Sequence, residues 1–150
     1  MAIIVTSEDE MKAFGAILGS KLLGGEVIEL IGDVGAGKTT LVKGVAAGLA
    51  VDEDIQSPSY TISRVYDARD NLILSHYDFY RLMDAGIMAN ELQETVSDPK
   101  TITILEWGGV VEGVLPVDRL TVQIESPTEN SRNLSILAGG PISKAIEVQL

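Results

Sequence analysis

A chain of 150 residues with 45% apolar side chains is long enough to bury a core, and one domain spanning 1–150 is the natural expectation. Its 22 acidic and 11 basic residues give a formal net charge of -11, which opposes broad contact with polynucleotide phosphates and leaves any nucleic acid to a basic partner or a local basic spot. Cysteine is absent, which excludes disulfides, thiolate nucleophiles and cysteine-rich metal sites.

The start, Met1-Ala2-Ile3-Ile4-Val5, is short and runs straight into Glu8-Asp9-Glu10, unlike a secretory signal. No apolar run approaches the roughly 18 residues of a membrane span, so a cytoplasmic protein without membrane contact is expected. Ala2 to Val5 reads as a short buried strand. Ser7 and Glu10 form a capping box that starts a helix, with Met11, Phe14, Ile17, Leu18 and Leu22 at helical spacing up to Gly24-Gly25. Glu26 to Ile31 is a second strand, and Thr39 to Leu49 a second helix with Leu41, Val45 and Leu49 on one face. Thr61 to Tyr66 and Leu72 to Tyr77 read as a hairpin around the polar turn Ala68-Arg69-Asp70-Asn71. Asp84 to Val96 reads as a helix, and Asp98-Pro99 breaks it before a strand from Thr101 to Leu105. Arg119 to Glu125, Asn133 to Ala138 and Ala145 to Leu150 then read as three late strands. The pattern predicts an α/β fold of the P-loop kind, three-layered, with a central, largely parallel sheet and additional antiparallel strands near the C-terminus.

Between the second strand and the second helix lies Gly32-Asp33-Val34-Gly35-Ala36-Gly37-Lys38-Thr39, a full Walker A pattern in the context that motif requires. Glycines let the backbone wrap phosphates, whose charge is met by main-chain N–H groups and a helix N-terminus. Lys38 is placed to reach the β and γ phosphates, the Thr39 hydroxyl to bind Mg²⁺, and Val34, Gly35 and Ala36 to offer amides. No Asn-Lys-x-Asp segment for reading guanine occurs, which favours ATP.

Such a site also needs a carboxylate at the end of a neighbouring buried strand. Glu106, closing Ile102-Thr103-Ile104-Leu105, and Asp78, closing the strand before it, are both candidates. Gly108-Gly109 follows Glu106, and a glycine there can turn an N–H toward a γ phosphate, which would make the segment a switch. Trp107 reads either as a neighbour of the nucleotide or as a core or partner-facing aromatic. Ser57-Pro58-Ser59-Tyr60-Thr61 reads as a nucleotide-sensing loop or as an ordinary proline turn. His76, the single histidine, reads as a structural residue more readily than as a catalytic base. Arg81 is open between phosphate neutralisation and a salt bridge to Asp78 or Asp84.

Taken in order, these segments resemble the TsaE family, the small ATPases of bacterial threonylcarbamoyladenosine modification of tRNA. The resemblance rests on Gly32 through Thr40, on Ser57-Pro58-Ser59-Tyr60-Thr61, on His76-Tyr77-Asp78-Phe79-Tyr80-Arg81-Leu82, and on Glu106-Trp107 followed by Gly113-Val114-Leu115-Pro116. It implies that Asp33, Val34, Gly35, Ala36, Gly37, Lys38, Thr39 and Thr40 bind ATP, and that Thr39 and Glu106 hold Mg²⁺. Lys38, Asp78 and Glu106 would then serve hydrolysis, with Ser57, Ser59, Thr61, Trp107 and Gly109 in switch segments. It further implies a two-subunit threonylcarbamoyl transferase complex as partner, reset between turnovers by ATP hydrolysis, with tRNA reached through that partner. The chain departs from the family's usual threonine at Ser59 and from its frequent proline or alanine at Gly108.

Two other functions use the same cradle. A small P-loop kinase would pass the γ phosphate to an acceptor, but Arg64, Arg69, Arg81, Arg119 and Arg132 are scattered rather than gathered in a lid. A nucleotide-gated binding protein would need no hydrolysis at all.

Overall fold

Apolar strands alternate with helices along the chain, and the computed structural model, which describes residues 1–58 and 61–150, assembles them around one sheet. The strands among the described residues are β1 (Ala2–Val5), β2 (Val27–Ile31), β3 (Ser63–Asp67), β4 (Ile73–Asp78), β5 (Thr101–Glu106), β6 (Leu120–Thr128) and β7 (Ser131–Ala138). The helices are α1 (Glu8–Lys21), α2 (Lys38–Gly48), α3 (Gly86–Ser97) and α4 (Pro141–Glu147). Strand order across the sheet is β1-β7-β6-β2-β5-β4-β3. Three central pairings, β6 with β2, β2 with β5 and β5 with β4, are parallel, whereas β1 with β7, β7 with β6 and β4 with β3 are antiparallel. The expected α/β class holds, and the late strands extend the main sheet.

Alternation sorts the side chains into two cores. Ile28 and Leu30 of β2 join Leu74, Ile102, Ile104 and Val122 under α1 and α2. Val27, Tyr77 and Leu105 point the other way, toward Leu92 of α3 and toward Val111 and Leu115 in and after the 3-10 segment Gly108–Val114. Every residue of β5 is buried, as a central parallel strand with both faces covered requires. On the first face, α1 and α2 pack backbone to backbone. A Cβ on Gly44 would stand 2.4 Å from the Lys12 carbonyl oxygen, and one on Gly19 2.2 Å from that of Val45. This contact fixes where α2 starts, and therefore where the phosphate cradle lies.

Two expectations need correction. Residues Ala145 to Leu150 are not a strand: α4 occupies Pro141–Glu147. Pro141 suits a first helical position, and the Asp118 carboxylate accepts from Ile142 N (2.8 Å) and Ser143 N (2.9 Å), so the cap comes from far back in the chain. β1 is not a buried strand either. It is an edge strand, with Val5 buried and Ile4 70% exposed. The start of α1 agrees with the capping box in part: Glu10 N donates to Ser7 Oγ at 3.0 Å, while the Glu10 carboxylate reaches back to Thr6 N rather than Ser7 N.

Candidate nucleotide-binding site

β2 leaves the centre of the sheet and the chain turns through the glycine-rich loop into α2. Gly35 (φ 84°) and Gly37 (φ 108°) take left-handed conformations in which any side chain is strained, and space beside Gly35 is open for 4 Å around a Cβ. Ala36 N donates to Asp33 O at 3.0 Å, closing the turn. The first turn of α2 has neither a side-chain cap nor an acidic residue, so its N–H groups and the positive end of its dipole face the loop. Lys38 is buried. Its ammonium donates to the Gly32 and Asp33 carbonyls, lies 4.0 Å from Glu106 Oε1, and sits 4.5 Å from the centre of the Trp107 ring.

Parallel strands bring their C-terminal ends to one edge of the sheet, where ligands of open α/β folds bind. Here the register sets Leu30 beside Glu106 and Glu106 beside Asp78. Glu106 is 3% exposed, and its Oε2 accepts from His76 Nε2 at 2.7 Å. A carboxylate oxygen only accepts, so the proton belongs on Nε2, while His76 Nδ1, also buried, has no hydrogen-bond partner among the described residues. Asp78 Oδ1 accepts from Tyr80 N at 3.0 Å, and its own amide donates to Ile62 O at 2.8 Å. Phe79 N in turn donates to Glu106 O, so the two carboxylates sit on segments knitted together by their main chains.

Lys38, Thr39, Thr40, Ser57, Asp78 and Glu106 line one cleft of about 460 Å³, together with Val34, Gly35, Gly37, Arg81, Tyr80 and Trp107. A second cavity of about 330 Å³ continues from Gly35, Ala36, Gly37 and Thr40, between the start of α1 and the β6–β7 turn. Both are of the size of ligand pockets. Asp33 is exposed and borders a separate groove with Ile31 and Gln123, contributing its carbonyl rather than its carboxylate to the loop. Of the switch candidates, Ser57 and Trp107 reach the cleft. Thr61 is exposed and donates to Ser63 O, Gly109 is exposed with open space around it, and Ser59 lies outside the described residues. Trp107 takes a left-handed φ of 57° and packs its ring tilted at 52° against Tyr80, 4.9 Å between centroids, so it belongs to the cleft mouth rather than to the core.

Gly108 differs from the expectation of backbone freedom. It is buried with an ordinary φ, and a Cβ there would stand 2.6 Å from Leu105 Cδ1 and 3.0 Å from Glu29 Oε2. Room, not freedom, is what the glycine supplies.

Sequence reasoning missed two contacts. Arg132 Nε donates to Ala36 O at 3.0 Å and ties the β6–β7 turn to the phosphate loop across 96 residues, with no local signal to announce it. The bond from His76 to Glu106 was within reach: His76 and Asp78 are two apart on one strand, hence on one face, and Glu106 closes the adjacent strand.

A Mg²⁺ ion uses one or two carboxylates and oxygen donors alongside nucleotide phosphates. Among the described residues no cluster of three or more His, Cys, Asp or Glu could form an all-protein cage, whereas Thr39, Asp78 and Glu106 supply the smaller all-oxygen set. The cradle fits a phosphate chain: α2 presents an uncapped N-terminus, and Gly35 and Gly37 leave the backbone bare. No helix among the described residues is long and apolar enough to cross a membrane.

Known proteins resemble this chain in sequence and in fold. The family described as "Threonylcarbamoyl adenosine biosynthesis protein TsaE" matches residues 5–134. The tRNA threonylcarbamoyladenosine biosynthesis protein TsaE of Treponema pallidum is 31% identical over 136 residues, covering 91% of this chain and 99% of that protein. Its namesake in Streptomyces coelicolor is 38% identical over 117 residues, covering 77% and 78% respectively. The crystal structure of Bacillus subtilis YdiB superposes with a TM-score of 0.81 at 27% identity, covering 99% of this chain and 92% of that one. The chain belongs to the TsaE family of threonylcarbamoyl adenosine biosynthesis proteins.

Proposed function

We propose that this protein, acting as one domain, binds ATP with Mg²⁺, hydrolyses it slowly, and thereby supports threonylcarbamoyladenosine modification of tRNA by resetting a partner transferase complex in the cytoplasm. The observation that carries the reading is convergence: the uncapped start of α2, the Lys38 ammonium, and the Glu106 and Asp78 carboxylates all meet in one cleft. The loop amides and Lys38 would take the phosphates, Lys38 exchanging the Gly32 carbonyl for the β and γ oxygens. Thr39 and Glu106 would hold Mg²⁺, which neutralises charge developing on the phosphates. Asp78, fixed by its bond from Tyr80 N, would support the attack of water. The second cavity, beside Ser7 and Arg132, is where the nucleoside would extend.

The charge of -11 supports the partner reading, since a tRNA is better held by a neighbouring protein than by this surface. The family supports it too, because the relatives' names place them in that modification.

The test is multiple-turnover formation of threonylcarbamoyladenosine on tRNA by the purified two-subunit transferase, with ATP and with or without this protein, using Lys38→Ala as control. Product beyond one round only with the wild-type protein is the expected result. Unchanged turnover refutes the resetting role, and phosphate transfer to an acceptor instead of release would mark a kinase.

A further inference from the structure

We propose that His76 is a positioning residue for Glu106, holding its carboxylate so that Oε1 faces the phosphate cleft and stays apart from Lys38, a role that rests on Glu106 being the magnesium carboxylate. Two nitrogens compete for this buried carboxylate. His76 Nε2 holds Oε2 at 2.7 Å, while Lys38 Nζ stands 4.0 Å from Oε1. A buried ammonium and carboxylate left to themselves close to about 2.8 Å. A closed pair would consume both the cation that meets phosphate and the anion that meets metal. The bond on Oε2 draws the carboxylate the other way and keeps one oxygen turned to the cleft.

The histidine is built for this. His76 is 0% exposed, fixed between Arg64 of β3 and Ile104 of β5 by the sheet register. Among the described residues its Nδ1 finds no partner, and Glu106 is the only hydrogen-bonded tether of its ring. A position serving packing alone would be better filled by leucine, which buries no unsatisfied nitrogen. The histidine is explained by what Nε2 holds.

Calorimetric titration with ADP, with and without Mg²⁺, separates this role from a structural one. His76→Leu is expected to reduce the Mg²⁺-dependent gain in affinity about tenfold, the scale of an outer-shell partner, with a smaller loss of metal-free binding as Lys38 is drawn onto Glu106. His76→Gln, which can still offer an N–H, should recover most of the gain. In a Glu106→Gln background, His76→Leu should change neither quantity, because the residue it acts through is gone. The proposal is overturned if folded His76→Leu keeps the wild-type gain, if folded His76→Gln lacks it, or if His76→Leu costs as much in the Glu106→Gln background. Where His76→Leu melts before titration, His76→Gln decides on the same criterion. A wild-type gain in Glu106→Gln alone would instead refute the magnesium assignment, and the positioning role with it.

Discussion

Glu29 and Glu106 stand on neighbouring parallel strands, both buried, yet their surroundings differ in kind. Glu29 faces the α3 side and has its counter-charge bonded to it: Arg119 Nε meets its Oε1 at 2.9 Å, and the same guanidinium also binds Glu112 at 2.8 Å and the Pro116 carbonyl. Burial alone would lower the Arg119 pKa, but bonds and charge from Glu29 and Glu112 raise it above the ordinary arginine value. Glu106 faces the α2 side and is open: one oxygen is tied to His76, while the other looks across 4.0 Å to Lys38. A buried charge therefore does not mark a site by itself. What sets Glu106 apart is a counter-charge held off at 4.0 Å in a cleft rather than bonded to it.

The comparison can be broken most severely at Lys38, the cation across from Glu106. Lys38→Ala should abolish ATP hydrolysis, by at least about 100-fold, as loss of a transition-state charge contact does; phosphate release within a few-fold of wild type would remove the lysine from the site. Glu106→Gln should lower Mg²⁺-dependent hydrolysis by roughly 10- to 100-fold while the melting temperature holds within about 2 °C, since the amide keeps the shape and its oxygen can still accept from His76 Nε2. Glu29→Ala should do the reverse. It leaves Arg119 with Glu112 as its one carboxylate beside the Pro116 carbonyl and should cost about 2 kcal/mol in denaturant unfolding, below the full penalty for breaking a buried pair. Hydrolysis per folded molecule should be unchanged. If Glu106→Gln unfolds the protein and Glu29→Ala silences it, the contrast is inverted and the site reading fails.

Asp118 sharpens the comparison as a carboxylate with both oxygens bonded. Burial raises its pKa, but bonds from Ser143 Oγ, Ser143 N and Ile142 N outweigh that and hold it below the ordinary aspartate value. Its folded pKa being depressed, its contribution is present above the unfolded value and is lost as pH falls through the folded one. Asp118→Ala should therefore cost about 1 kcal/mol near neutrality, as loss of a helix cap does. The difference from wild type should narrow below about pH 4, read by urea melts across pH. A gap that persists unchanged in acid would show that α4 is held by packing alone.

What could be read from the chain follows from the range of each interaction. The phosphate loop, its strand and its helix are contiguous, and the spacing of Gly32, Gly37, Lys38 and Thr39 states their geometry. Glu106 and Asp78 were legible as strand-terminal carboxylates because a parallel sheet places such ends together. The tail from Ala145 to Leu150 misled because its apolar residues fit two periods, and the cap that decides between them is supplied by Asp118. The Arg132 bond to Ala36 was illegible for the same reason. Gly108 was misjudged because only the packed fold shows that Leu105 and Glu29 occupy the space a side chain would need.

The strand order has a bearing on how the molecule comes into being. β2, which carries the phosphate loop, has no partner from the first hundred residues: its neighbours are Thr101–Glu106 on one side and Leu120–Thr128 on the other. β1 waits longer still, for Ser131–Ala138. During synthesis the Walker segment therefore leaves the ribosome long before the sheet that gives it shape, and distant pairing of this kind slows folding. Nucleotide affinity is then a late property of the nascent chain, arriving only with its final strands.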